Sequence, residues 1–212
     1  MVKNTSMSSD LNNINVDIEN IAKKAIRNKK LLTELLYSTS SEKASVKYKS
    51  LKVLKLLSQD QSEMLYKEWD FFVKLLDNNN TFLRAIGVKI ITNLVRVDTE
   101  NKFDIIFDKY YNLLNDKSMI NAANVAENSG IIAKEKPYLQ KKIINKLFDI
   151  DKTHHSSEYK NIIKGKAIQS FYEHFNEFKD KEKIIQFVIN ELKNSRSATR
   201  KKAEIFIKKW NK

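Results

Sequence analysis

Apolar residues recur along this chain at spacings of three and four, the period of one buried helical face. Leu11, Ile14, Ile18, Ile21 and Ala25 predict a helix that starts near Ser9. Leu31, Leu32, Leu35 and Leu36 predict a shorter second one, and polar Ser38 to Ser41 ends it. Val46, Leu51, Leu54 and Leu57 mark a third helix, and Met64, Leu65, Trp69, Phe72, Leu75 and Leu76 a fourth. Trp69 is in phase with Leu65 and Leu76, so it reads as core. The same period predicts helices over about 82–97, 102–114, 119–133, 137–149, 157–175, 181–193 and 198–210. The polar breaks between them each hold an Asn, Asp, Ser or Thr fit to cap a helix N-terminus. Pro137 suits the first turn of its helix, where a missing N–H costs nothing. No strand-like alternation bounded by hairpin turns appears.

The pieces repeat. Lys47, Arg84, Asn121, Lys164 and Thr199 overlay at intervals of roughly 35–43 residues, the range of paired-helix repeats. Four residues on stand Leu51, Val88, Val125, Ile168 and Ala203; seven on stand Leu54, Ile91, Asn128, Phe171 and Phe206, where the register slips at Asn128. Units of this kind cannot bury their apolar faces alone, so they stack.

Leu75-Leu76-Asp77-Asn78-Asn79-Asn80-Thr81-Phe82-Leu83-Arg84-Ala85-Ile86-Gly87 resembles the heart of a HEAT repeat: two leucines, a turn Asp, an apolar-Arg pair and a small residue three further on. Leu113-Leu114-Asn115-Asp116 with Ile120-Asn121, and Val46-Lys47 with Ser50, are weaker copies. The Pro that often kinks the first HEAT helix is absent, so armadillo-like and divergent HEAT-like describe the chain equally well. The resemblance implies an all-α fold, a right-handed α-α superhelix (α-solenoid) of about five HEAT-like helical hairpins. It implies one such domain over 10–212, after a disordered tail at 1–9.

Only 3 glycines and 1 proline fall in 212 residues, and no two glycines are close. That removes any Gly-rich phosphate loop and argues against a sheet protein. There is no cysteine, which excludes disulfides, thiolate metal sites and a Cys nucleophile. Met1 to Ser9 has no apolar segment, so no signal peptide is expected. No apolar run approaches the ~20 residues that span a bilayer, and a cytoplasmic protein is expected.

The net charge is +13, from 39 Lys and Arg against 26 Asp and Glu. A basic excess favours acidic partners: proteins, nucleic acid or anionic lipid. Abundant Lys, Asn and Ile with scarce Arg is also what an AT-rich genome encodes, but that bias does not explain why Asp and Glu fail to balance the lysines. In HEAT-like stacks the helix after the Asp turn lines the concave surface. The resemblance therefore places the helices near 43–58, 82–97, 119–133, 157–175 and 198–210 there. Their stripes opposite the apolar face are Lys49, Lys52 and Lys55; Lys89, Asn93 and Arg96; Ala123, Ala126, Gly130 and Ala133; Lys166, Gln169 and Tyr172; and Lys201, Glu204 and Lys208. The candidate partner-binding residues are Lys49, Lys52, Lys55, Lys89, Arg96, Lys166, Tyr172, Lys201 and Lys208. The small stripe would let a ligand approach the backbone, or would serve tight helix packing.

Catalytic chemistry is not encoded recognisably. His154, His155 and His174 do not have metal-ligand spacing, and no nucleophile elbow or HExxH appears. Tyr110-Tyr111 is a candidate for base stacking. DNA alkylation-repair glycosylases resemble HEAT-like stacks with a basic concave face, but no inward Trp and Asp set appears here. The sequence thus leads to a non-catalytic, cofactor-free scaffold that binds an acidic protein or peptide. A nucleic-acid-binding HEAT-like protein is the alternative.

Overall fold

A computed structural model of the chain describes Leu11 and residues 16–211, and among these it is all-helical, without a strand. The expected tail at 1–9 and the start of the first helix near Ser9 lie outside the described residues. Helices α1 (Ile18–Ile26), α2 (Lys29–Ser38), α3 (Ala44–Asp60), α4 (Ser62–Tyr66) and α5 (Trp69–Leu75) come first. They are followed by α6 (Thr81–Leu94), α7 (Lys102–Asn112), α8 (Met119–Glu135), α9 (Gln140–Phe148), α10 (Ser157–His174), α11 (Lys181–Asn190) and α12 (Ser197–Trp210). The chain divides inside α5 into two compact units, one up to Phe72 and another from Val73.

Local chemistry sets the helix starts. Asp17, Asn28 and Asn80 each stand one residue before a helix, and a side-chain oxygen accepts an amide proton of its first turn. Ser156 does the same for Tyr159 N at the start of α10. Helix ends are handled differently. Glycine is too scarce to supply left-handed caps, and five helices tighten into a 3₁₀ turn instead: Val95–Val97, Leu113–Asn115, Asp149–Lys152, Phe175–Glu177 and Glu191–Lys193. These turns account for the sequence-derived helices near 82–97, 102–114 and 181–193 running past the α-helical residues.

In the first unit, α3 packs against both α1 and α2. Ile21, Ala25, Leu35, Val46, Leu51 and Leu54 are buried there, as is Trp69 on α5. In the second unit α6 packs on α8, α8 on α10, and α10 on α12. The core between and beneath them is aromatic: Phe103, Tyr110 and Tyr111 from α7, with Phe171 and Phe178. Tyr110 and Tyr111 are therefore not free to stack on bases. Tyr110 shares a hydrogen bond with Thr92 Oγ1 (2.7 Å) and Tyr111 OH donates to Ser129 Oγ (3.2 Å). Burial pushes both phenols well above their ordinary pKa.

Self-similarity survives at atomic level. Arg84 Nη1 donates to the carbonyls of Asn78 (2.6 Å) and Asn79 (3.0 Å); Arg200 Nη1 does the same to Asn194 (2.6 Å) and Ser195 (2.8 Å). Asn78, Asp116 and Asn194 each close a side-chain turn on the amide two residues on. The structural partner of Arg84 in the last hairpin is thus Arg200, one residue beyond the Thr199 that periodicity selects.

Candidate interaction surface

In the second unit α6, α8 and α10 run in the same direction. At one end, Arg84 on the first turn of α6 forms a two-pronged ion pair with Asp116, just ahead of α8 (2.7 and 2.9 Å). At the other end, Arg96, Lys134 and His174 are close enough for the two cations to act on the imidazole. Burial lowers the His174 pKa, and the charges of Lys134 and Arg96 lower it further against opposing Glu173 and Glu177. Residues seven apart lie on one helix face. Each helix keeps such a column clear of the core: Phe82–Lys89–Arg96 on α6 and its 3₁₀ turn, Ile120–Glu127–Lys134 on α8, and Tyr159–Lys166–Glu173 on α10.

Side-chain bonds lace the columns together at mid-height. Lys89 Nζ donates to Asn128 Oδ1 (2.8 Å) and Lys166 Nζ to Glu127 Oε1 (2.8 Å). Lys202 Nζ on α12 donates to Gly165 O (3.2 Å). Burial lowers the Lys202 pKa, the charge of Lys166 lowers it further, and Glu127 and Glu173 oppose both. Beyond, Lys209 Nζ sits 4.3 Å from the centre of the Tyr172 ring and 4.4 Å from that of Trp210, a cation held between two aromatics.

The sequence-derived site residues separate on this geometry. Lys49, Lys52 and Lys55 lie on α3 in the first unit, and Lys49 Nζ donates to Leu11 O (3.0 Å). Lys89 and Lys166 share the laced row of the second unit, and Arg96 stands two turns beyond it. Tyr172 is turned to Lys209 and Trp210. Lys201 and Lys208 are exposed on α12, about 100° around the helix from Lys202 and Lys209. Among the described residues, the side chains of Lys52, Lys55, Arg96, Lys201 and Lys208 carry no hydrogen bond or ion pair, and neither does that of Lys134.

One stripe is corrected. Ala123, Ala126, Gly130 and Ala133 are buried, not outward. Gly130 lies in the contact of α8 with α10: its N donates to Ser170 Oγ (2.7 Å), and a Cβ there would stand 2.8 Å from Ser170 O. The outward residues of α8 are Ile120, Asn124, Glu127, Ile131 and Lys134. Helix α8 is packed on two sides, by α6 and α10, so its burial spreads around the helix and the single-stripe reading picks the wrong face. Periodicity also passes over Glu127, Lys134, Lys202 and Lys209. The sequence signal that finds them is the heptad kept by charged or exposed residues alone, such as 127 to 134 and 202 to 209.

His154 and His155 have structural partners. His154 N and Nδ1 both reach Asn115 Oδ1 (2.8 and 2.6 Å), and His155 Nε2 meets Leu114 O (3.1 Å), which ties the loop before α10 to the turn after α7. Among the described residues no three His, Asp or Glu side chains gather as a metal site, and no helix is long and apolar enough to cross a membrane. Compared with known proteins, the chain matches no family model and no curated protein.

Proposed function

We propose that this chain is a non-catalytic, HEAT- or armadillo-like α-solenoid scaffold of the cytoplasm. It holds an acidic protein or peptide against the exposed face of α6, α8, α10 and α12. The observation that supports this most is the row of uncommitted cations: Arg96 and Lys134 on consecutive same-direction helices, exposed and without a hydrogen bond or ion pair among the described residues. Basic residues at helix C-termini are also favoured by the helix dipole, by ~0.3–1 kcal/mol each. That effect is local to each helix, whereas the charges of Lys134 and Arg96, on two different helices, both act on His174 of a third.

An acidic peptide is the ligand of first choice. The row contains Glu173 and the neighbouring one Glu127, and acids in the surface disfavour the uniform negative charge of a nucleic-acid backbone. The experiment is fluorescence anisotropy of a labelled Glu/Asp-rich peptide, and of duplex DNA, at low and physiological ionic strength. The peptide should bind at low salt, weaken as salt screens the charges, and lose about tenfold in affinity when Arg96→Glu and Lys134→Glu are combined. Peptide binding that ignores the double variant places the interface elsewhere. DNA binding that is tighter and falls more steeply with salt selects the nucleic-acid reading. Release of alkylated bases from DNA would remove the non-enzyme assignment.

A further inference from the structure

We infer that the partner of this face is an amphipathic acidic helix lying across α6, α8 and α10, its apolar flank on Phe82, Ile120 and Tyr159. The inference rests on the acidic-partner reading and names the partner's shape and its second chemistry.

The starting point is the end of the columns opposite Arg96 and Lys134. One heptad before the laced row stand Phe82, Ile120 and Tyr159, the first two at the second position of their helices and Tyr159 at the third of α10. Ile120 is 56% and Tyr159 47% exposed, and Phe82 is half-buried. A single exposed apolar side chain is ordinary. Two exposed apolar side chains and a half-buried one on three adjacent helices, bordered by Lys89 and Lys166 with Glu127 between them, have the composition of a docking surface.

Two lengths then select a helix as the occupant. Seven residues along α6, α8 or α10 separate the apolar row from Lys89 and Lys166, about 10 Å at 1.5 Å per residue, and a helix with its side chains is about 10–12 Å across. Packed helices lie about 8–10 Å apart, so the apolar anchors repeat at that interval across the face. A partner helix advances that far in about six or seven residues, two turns, which returns its side chains to the same face. Its anchors therefore fall at about every seventh position, and acids on the flank beside them compete with Asn128 and Glu127 for Lys89 and Lys166. An extended segment would present its side chains to this face at a different interval, about three residues, and has no flank to divide between apolar and acidic rows. The mode is a helix laid on a surface through one apolar and one charged edge.

A display library of random peptides about 20 residues long, selected against the full chain, tests this. Enriched peptides should carry apolar residues about seven apart with Asp or Glu beside them, and synthetic copies should gain helical circular dichroism on binding. Ile120→Glu with Tyr159→Glu should weaken them at least about tenfold. Both residues are exposed, so the variant should keep its own helical spectrum; Ile120→Ala with Tyr159→Ser is the milder control and should weaken binding in the same direction. Enriched peptides that are acidic, lack the apolar heptad, and lose binding only with Arg96→Glu and Lys134→Glu overturn this inference and keep the acidic-partner reading. Enriched peptides without acidic character, or no enrichment, overturn both.

Discussion

Gly130 has no room for even one carbon. Its missing Cβ would press on the Ser170 carbonyl and the His174 ring, and a backbone oxygen cannot swing away as a flexible side chain does. Gly130→Ala should destabilise the protein by about 1–3 kcal/mol in urea unfolding, despite alanine's better helix propensity. Asp116 makes a second prediction at this scale. Burial alone would raise its carboxyl, but hydrogen bonds from Arg84, the Ser118 amide and Asn121 outweigh it and hold the pKa below the ordinary carboxylate value. A carboxylate with a depressed folded pKa contributes stability that is complete above its unfolded value and fades as pH falls toward the folded one. Acid unfolding below about pH 4 should therefore be shallower in Asp116→Asn than in the parent chain. Asn128, which breaks the apolar register, shows what a linear pattern conceals. Its amide bonds Asn124 O (2.7 Å) within α8 while its oxygen receives Lys89 from α6, so a polar core position marks a cross-helix bond. Nothing in a single sequence says that Lys89 and Asn128 meet.

A buried cation joins the loop before α7 to the loop after α8. Asp98 caps α7 through the amides of Lys102 (2.9 Å) and Phe103 (3.0 Å), with Asn101 held at φ 55° between them. Lys136, after α8, reaches in to Asp98 Oδ2 (3.0 Å), Asp98 O (2.9 Å) and Asn101 Oδ1 (2.7 Å). Both side chains are almost wholly buried, 5% and 0% exposed. Losing one member strands the other charge, so Lys136→Met should cost about 3 kcal/mol or more in chemical denaturation. Asp98→Asn in the same chain keeps one of the two capping oxygens and should restore part of that loss. Most elements were legible because their amphipathic period and Asn, Asp and Ser caps are local features. What escaped lies between elements. Helix α8 is flanked by two others, so its small residues are placed on an outward stripe by period alone, and of the two roles open to them in sequence they take tight packing. The 3₁₀ turns escaped too, because apolar spacing continues through them while the hydrogen-bond pattern tightens.

Charge is the property that belongs to the whole chain. Most of the +13 excess falls in residues 73–212, and the ion pairs there leave many lysines unmatched. Like charges repel in the folded state, so the melting temperature should rise by a few degrees when sodium chloride is increased from about 10 to 200 mM. A melting temperature that falls or stays level would mean that the ion pairs outweigh the repulsion. This excess is plain in composition, but its distribution is not: Lys49, Lys89 and Lys166 all read as solvent-facing, and each has a partner in space. Glu127, which takes up Lys166, has a further effect. On the proposed reading, a visiting carboxylate must evict this resident one before it can use that lysine, so the surface would carry a built-in rival to its ligand. Such a rival shortens residence and keeps capture reversible. Glu127→Gln should relieve that competition and slow release of an acidic peptide several-fold in stopped-flow displacement.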